Sequence, residues 1–313
     1  MIFYILRRIV ATIPVMGVVA LLVFSMLFLA PGDPAVIIAG ESASAEQLAR
    51  MRQNMGLDQP LPVQFARWVG RVVTGDMGTS LHSGRPVTEM IGARVSTTLS
   101  LAIVTIIFSL LLAIPMGILA AWARGRFIDK AVMSVAVLGF STPVFVVGYA
   151  FIFIFAVKAG WFPVQGFTPL ADDPLRFVRT VTLPAITLSL AYIALVSRIT
   201  RSSLLETLGE DFIRTARAKG ATERRVLLRH ALRNAAVPII TVAGSAAAFL
   251  IGGVVVTESV FNLPGMGRLV VESVLARDYP LIQGLILLLS LIYIGINLLT
   301  DILYSVFDPR IRY

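Results

Sequence analysis

The chain has 313 residues, of which 57% are hydrophobic and only 14% are charged, a composition that no soluble domain of this length could bury in a core. It lacks cysteine and has two isolated histidines, His82 and His230, so we expect no disulfide bond, no bound metal and no catalytic centre built on paired imidazoles. The net charge of +9 would suit nucleic-acid binding, but the positions of the charges indicate a membrane protein with no nucleic-acid partner.

Six stretches meet the requirement of about 20 apolar residues for a helix that crosses the bilayer core. They are residues 9–30, 96–122, 131–156, 181–197, 236–257 and 281–307. The first follows Arg7 and Arg8 as a signal peptide would, but its apolar run is too long and no small-residue cleavage site follows, so we expect a retained helix. Pro115 and Pro143 each remove a backbone donor and predict kinks in the second and third spans.

The charges between the spans predict the orientation of the chain. With a cytoplasmic amino terminus, the inside segments hold sixteen basic and six acidic residues, whereas the outside segments hold eleven of each. An excess of arginine and lysine in short inner loops fits the positive-inside rule. We therefore predict an all-α membrane protein with six transmembrane helices and both termini in the cytoplasm.

The first outer segment, residues 31–95, is long enough to fold. Ser44 and Gln47 have the spacing of a capping box, and Gly56 is placed to end the helix that they begin. Phe65 and Trp68 lie on one apolar face of a second predicted helix, which could lie on the membrane surface, on the outer ends of the spans, or simply pack as a cap. We divide the chain into residues 1–95, a transmembrane domain of residues 96–307, and a cytoplasmic tail of residues 308–313.

The fifth span is rich in small side chains. Small residues let helices approach closely, and they also leave room beside a path for a solute, so packing and path lining both remain possible. The residues predicted to line or border a translocation path are Ser245, Ala248, Gly252, Gly253 and Glu258. Asp301 is the one acidic residue inside a predicted span, and its depth near the inner interface favours a carboxylate that reaches water or an arginine.

The inner segment 201–235, between the fourth and fifth spans, is the longest and most basic cytoplasmic stretch. Its pattern predicts a short helix over residues 211–219, a break at Gly220, and a further helix capped by Thr222. That further helix is predicted to lie parallel to the membrane. Its basic side carries Arg225, Arg229 and Arg233, and its apolar side carries Leu228, Leu232 and Ala235. Attraction to anionic membrane lipid explains the arginines, but it does not explain the small residues of segment 216–220.

The most specific motif of the chain lies in the inner loop, in residues 212–220 followed by 230–234 and Pro238. It resembles the signature loop of the binding-protein-dependent ABC permeases of the dipeptide, oligopeptide and nickel group, which include glutathione permeases. Further matches follow the family in order: residues 31–34, 56–60, 75–78, 252–261, 264–267 and 308–313. One departure occurs where the general ABC pattern has Glu-Ala-Ala and this chain has Arg214, Thr215 and Ala216, a variant that looks typical of peptide-type permeases. It leaves open which side chains contact the partner.

The resemblance implies the type I ABC importer permease fold in a bacterial inner membrane. It implies a second homologous permease subunit, two ATPase subunits that use ATP and magnesium, and an external solute-binding protein. It also implies that residues 211–220 form the helix that docks on an ATPase. The contact residues are then Asp211, Phe212, Arg214, Thr215, Ala216, Arg217, Ala218, Lys219 and Gly220.

Independent sequence features agree with a subunit that is not itself an enzyme. The chain has no Gly-x-x-x-x-Gly-Lys-Ser/Thr loop to hold phosphates, so it needs a partner to use ATP. A secondary transporter would show repeated halves and mid-membrane charges, and an ion channel would show a selectivity filter; the sequence shows none of these clearly. We expect the solute to be a peptide or glutathione, with nickel chelates as the alternative.

Overall fold

The computed structural model describes residues 2–29, 35–36 and 44–307, and this part of the chain is nearly all helical. The predicted motif at residues 31–34 and the predicted tail at residues 308–313 lie outside the described residues. The helices are α1 (Ile2–Leu29), α2 (Ala45–Met55), α3 (Leu61–Val73), α4 (Val87–Trp122), α5 (Phe127–Ser141), α6 (Val144–Phe151), α7 (Pro174–Thr207), α8 (Asp211–Ala218), α9 (Glu223–Arg225), α10 (Leu232–Val260), α11 (Met266–Leu275) and α12 (Tyr279–Phe307). Two π-helical turns, Ile152–Lys158 and Val226–Ala231, continue α6 and α9.

Five continuous helices among the described residues are long and apolar enough to cross a membrane. They are Leu6–Phe28, Val87–Trp122, Pro174–Thr207, Glu223–Val260 and Tyr279–Ile302. The helices Phe127–Ser141 and Val144–Lys158 meet the same criterion only together, and they are bent by 101° where they join. The six predicted spans correspond to these five helices and the bent pair.

The bend replaces the simple kink predicted in the third span. Thr142, the residue before Pro143, has φ −88° and ψ 126°, an extended conformation that ends α5. Proline disfavours the helical conformation of the residue that precedes it, and its own nitrogen cannot donate. Pro115 lies inside α4, which continues to Trp122 as one helix.

The larger of two compact units holds Val95–Arg268 and the part of α12 from Tyr293 onward. At its centre lies α7, whose most apolar 18-residue window is 67% buried, against 33% or less for the other long helices. Its main core cluster combines side chains of α4, α7 and α10, including Leu101, Leu188 and Leu250. Helix α7 is therefore the element around which this unit packs.

The smaller unit holds Leu6–Arg94 and Leu269–Ile292. Ser44 and Gln47 form the predicted capping box, and Gly56 ends α2 with a left-handed φ of 68°. The rings of Phe65 and Trp68 on α3 pack against Phe24 of α1, with centroid distances of 5.4 and 5.7 Å. The apolar face of α3 thus lies against the first span, one of the positions that the sequence left open.

Candidate functional site

Helix α8 forms where the sequence predicted the short inner helix. Asp211 lies in its first turn and Arg217 in its last, each with the charge that the helix dipole favours. Gly220 has φ +80°, and its N–H bonds to the carbonyl oxygen of Arg217 at 2.9 Å. A residue with a side chain is strained in this left-handed conformation, so the glycine predicted to end the helix is required by the backbone.

One side chain anchors α8 to the rest of the larger unit. Ile213 is completely buried, in a cluster that also holds Leu204 at the end of α7 and Val226 of the second π-helical turn. We call this group the inner cluster; its buried members are Ala121, Leu204, Ile213, Val226, Leu227, Ala231, Ala235 and Ile239. The anchor was missed in the sequence because Phe212 and Ile213 are adjacent in an eight-residue helix, which is too short for its spacing to show which of the two is buried.

The predicted coupling residues lie on the open side of this anchor. Phe212 is 41% exposed although it is a large aromatic side chain, and Ala216 is half-buried. The other predicted members are exposed: Asp211, Arg214, Thr215, Arg217, Ala218, Lys219 and Gly220. Helix α8 therefore presents an aromatic ring, small residues and charges to the solvent while one isoleucine fixes its position.

An ion pair closes the loop that follows α8. Nε and Nη2 of Arg217 donate to the two carboxylate oxygens of Glu223 at 2.8 and 3.1 Å. The hydrogen bond with Glu223 raises the pKa of the Arg217 guanidinium above its usual value, so the arginine stays charged. Both residues also line a cavity of about 330 Å³ between the end of α7 and the second π-helical turn.

The helix after this loop differs from the prediction in two ways. Thr222 occupies the cap position, but its side chain makes no capping hydrogen bond. The helix runs without a break from Glu223 to Val260, so it continues into the fifth span instead of forming a separate surface helix. Leu228 is 44% exposed, whereas Leu227 is buried. Both leucines lie in the π-helical turn, whose wider turn changes which side chains share a face.

The residues predicted for the translocation path fall into two groups on α10. Ser245 and Gly252 lie on an exposed face together with Phe249 and Val256, and no atom lies within 4 Å of a methyl group placed on Gly252. Ala248, in contrast, is buried within the chain. The path itself stays a prediction, and Ser245 and Gly252 are its two members on the open face.

Some of the small residues of α10 permit close helix packing. A methyl group on Gly253 would lie 2.8 Å from Cδ1 of Leu188 on α7. A methyl group on Gly244 would overlap the side chain of Thr300 on α12. Each of these glycines therefore lets a neighbouring helix approach, which is the packing alternative that the sequence left open.

Glu258 is completely buried, and it organises the turn between α10 and α11. Its Oε1 accepts from the hydroxyl of Thr98 at 2.6 Å, and its Oε2 accepts from the backbone N–H of Arg268 at 2.9 Å. The Thr98 oxygen in turn accepts from the N–H of Met266 at 2.8 Å. A methyl group on Gly265 would overlap the carboxylate. Because its carboxylate is enclosed by protein groups, Glu258 holds the outer turn, residues 258–268, against α4.

A second set of polar contacts extends the outer turn toward the loop before α7. Asn262 has φ 52°, a left-handed conformation that asparagine tolerates better than most residues. Its amide accepts from Arg268 and donates to Oε1 of Gln165 at 2.8 Å. Gln165 lines a cavity of about 530 Å³ with Trp161, Arg176 and others. The outer turn is thus connected to a cavity on the predicted external side.

Two models of known protein families match nearly the whole chain. Residues 113–313 match the family described as the inner membrane component of binding-protein-dependent transport systems, and residues 1–102 match the N-terminal part of such membrane components. The chain belongs to this family. It is therefore a multi-pass membrane component of a transport system, and we refer to it below as the permease.

The permease has close relatives over its full length. It is 49% identical over 310 residues, 99% of both chains, to a probable peptide ABC transporter permease protein of Sinorhizobium fredii. It is 45% identical over 309 residues to a putative peptide transport system permease protein of Brucella abortus, covering 99% of this chain and 98% of the relative. It is also 47% identical over 313 residues, all of both chains, to the glutathione transport system permease protein of Salmonella paratyphi A.

Solved structures share the fold. The inward-facing MetNI methionine ABC transporter contains a chain that matches with a TM-score of 0.58 at 19% identity, covering 70% of the permease and 96% of that chain. An amino acid ABC transporter with histidines matches with a TM-score of 0.52 at 17% identity, covering 72% and 95%. The predicted type I importer permease fold is confirmed by these neighbours.

Proposed function

We propose that the permease is one transmembrane subunit of an ATP-driven importer of peptides in a bacterial inner membrane. It works with a second homologous permease, two ATPase subunits and an external solute-binding protein. ATP and magnesium are bound by the ATPases, and the permease contributes the path for the solute. Relatives with peptide and glutathione transport in their names support a peptide-type solute.

The observation that carries the proposal is the placement of α8. A short exposed helix held by one buried isoleucine transmits a push from a partner as a rigid-body displacement of the cluster around it. Its small residues, Ala216 and Gly220, leave space for the wall of a cleft on an ATPase. A helix that only bound anionic lipid would need its charges but not this shape.

The open face of α10 is the surface along which we propose that the solute passes. Ser245 and Gly252 carry little side-chain bulk on that face, one turn on either side of the exposed ring of Phe249. The other three predicted path residues do not lie on this face. They pack α10 against its neighbours, and they are Ala248, Gly253 and Glu258. The path is therefore proposed to run along residues 245–256, with Glu258 as a support at its outer end.

Transport by the reconstituted complex tests this function. The permease, its permease partner, both ATPases and the binding protein are placed in proteoliposomes and offered dialanine, glutathione or a nickel–histidine chelate. We expect uptake of dialanine or glutathione that requires ATP hydrolysis and persists without an ion gradient. Uptake driven by a proton or sodium gradient alone would contradict the importer, and ATP-driven uptake of the nickel chelate alone would contradict the peptide assignment.

A further inference from the structure

A partly buried ion pair joins the start of α5 to α7 near its end; the Asp129 side chain is buried and that of Arg201 is 26% exposed. Asp129 is only 4% exposed, and its two carboxylate oxygens accept from Nε and Nη2 of Arg201 at 2.5 and 2.8 Å. The backbone N–H of Gly125 also donates to Oδ2 of Asp129 at 2.9 Å. Because a planar fork and a backbone donor hold both oxygens, the pair has a single well-defined geometry.

Arg201 lies close to the anchor of α8. It precedes Leu204 by one helical turn, and Leu204 is completely buried in the inner cluster with Ile213. A displacement of α8 acts on the second π-helical turn and, through the inner cluster, on Leu204 near the end of α7, one turn from Arg201. Asp129 receives that displacement through two hydrogen bonds to a neighbouring helix.

Helices α5 and α7 stay in contact beyond the ion pair. A methyl group on Gly139 would lie 3.2 Å from the carbonyl oxygen of Leu190, so the two backbones approach closely near the end of α5. Asp129 is ten residues before Gly139, and Arg201 is eleven residues after Leu190. The two contacts are thus separated by nearly equal lengths of helix that run in opposite directions, as in an antiparallel pair. The ion pair therefore fixes one end of a contact that the glycine continues.

Beyond the bend at Pro143, helix α6 packs against the end of α10, where the outer turn begins. After the bend, Gly148 of α6 is buried against the end of α10, where a methyl group on it would lie 2.9 Å from Cγ1 of Val260 and 3.4 Å from the ring of Phe261. Val260 is two residues beyond Glu258, which holds the outer turn. A continuous series of contacts thus runs from α8 through α7, α5 and α6 to the end of α10.

We propose that Asp129 and Arg201 are a positioning pair that makes the bent span move with α7 when α8 is displaced. The inference rests on the proposed function, since it assigns the route by which an ATPase contact at α8 reaches the outer end of the path. The close approach at Gly139 and Leu190 holds the two helices together near one end, and the ion pair holds them near the other. Because both ends are held, α5 follows α7 as one body.

An ion pair that only stabilises the fold and one that also transmits the motion of α8 should respond differently to substitution. Removing one partner of a buried pair leaves an uncompensated charge and destabilises a protein, whereas replacing both partners by neutral residues of similar size is often tolerated. A variant with both charges removed therefore separates the two roles. If the pair only stabilises the fold, this variant regains normal function; if it transmits motion, the variant assembles but stays uncoupled.

The test uses the full complex with Asp129→Asn combined with Arg201→Met. Asparagine keeps an acceptor for the N–H of Gly125, and methionine keeps an apolar stem of similar length. The matched control is Glu46→Gln combined with Arg50→Met, which removes an exposed ion pair with side chains 76% and 75% accessible. Copurified ATPase is measured first, then the number of ATP molecules hydrolysed for each solute molecule taken up.

We expect the Asp129 and Arg201 double variant to retain its ATPases and to hydrolyse roughly tenfold more ATP per solute, in the range of ordinary allosteric coupling. The control variant should match the wild type. Normal stoichiometry in the double variant overturns the inference, and so does loss of assembly, because the pair would then serve folding. If the wild-type complex shows no ATP-driven uptake, the proposed function fails instead, which distinguishes the two.

Discussion

The hydroxyl of Thr98 on α4 donates a 2.6 Å hydrogen bond to the buried carboxylate of Glu258 at the end of α10. Replacing Thr98 with valine keeps the shape of the side chain but leaves both Oε1 of Glu258 and the N–H of Met266 without this partner. A buried polar group left unsatisfied costs about 1 to 3 kcal/mol, so we expect a clear loss in the stability of the detergent-solubilised permease. Thermal unfolding followed by tryptophan fluorescence measures it.

Thr241→Val is the control for this change. Thr241 is exposed on α10, and its hydroxyl bonds only to a carbonyl oxygen of its own helix, that of Val237. Its replacement should change the free energy of unfolding by less than about 0.5 kcal/mol. Equal effects of the two valine substitutions would show that the Thr98 bond has no special importance for the outer turn.

Two glycine-to-alanine substitutions should act in opposite directions. Alanine at Gly265 would overlap the Glu258 carboxylate, and overpacking of this kind costs about 1 to 3 kcal/mol. Alanine at Gly252 meets nothing within 4 Å and replaces a poor helix former, which is worth about 1 kcal/mol in the favourable direction. The unfolding temperature of each variant is compared with that of the wild type: it should fall for Gly265→Ala and rise for Gly252→Ala. A stabilised Gly265→Ala variant would refute the packing described for the outer turn.

The orientation of the chain is tested by cysteine labelling, since any introduced thiol is the only one. Ser83 and Thr222 are both exposed, so the reagent reaches either residue if it is on the same side of the membrane. Ser83→Cys should react with a membrane-impermeant maleimide in sealed cells, and Thr222→Cys should react only after the membrane is opened. Labelling of Thr222→Cys in sealed cells would reverse the predicted orientation.

The sequence predicted helices better than it predicted contacts between them. Local signals were sufficient for the capping box at Ser44 and the left-handed turn at Gly220, because each depends on a few neighbouring residues. The pairing of Asp129 with Arg201 was missed since the two are 72 residues apart and both lie beyond the predicted spans, in helices that extend further than the apolar runs.

At the candidate site, too, the helices were predicted better than the contacts between them. The position and length of α8 were predictable, but its anchor Ile213 was not, since burial there depends on α7 and the second π-helical turn. Leu228 was assigned to the apolar side of a helix with 3.6 residues per turn, whereas the structure has a π-helical turn at this position. Glu258 was predicted to line or border the path, and its contact with Thr98, 160 residues away, could not be read from the sequence.

A bulky residue on the open face of α10 should block the proposed path. Gly252→Trp places a large ring where the structure leaves open space, so we expect complexes that assemble but take up no solute. Gly17→Trp is the control, because Gly17 of α1 is also exposed and has nothing within 4 Å. Normal uptake by an assembled Gly252→Trp complex would place the path elsewhere.

The contact between α8 and an ATPase depends on shape if α8 is a docking helix, and on charge if it only binds lipid. Ala216→Trp and Gly220→Leu leave the net charge unchanged but fill the space that a cleft wall would occupy. Gly220→Leu also strains a backbone with φ +80°, at a cost of about 1 to 2 kcal/mol. Arg229→Gln removes one exposed charge from the neighbouring basic face and leaves the shape of α8 intact.

Copurification of the ATPases with these three variants, combined with uptake by the same preparations, is the decisive measurement. We predict that Ala216→Trp and Gly220→Leu reach the membrane in normal amounts but lose the ATPases or hydrolyse ATP without uptake, while Arg229→Gln transports at nearly the normal rate. If both bulky variants retain the ATPases and transport normally while Arg229→Gln fails, α8 is a lipid-binding face and not the contact through which ATP hydrolysis drives this permease.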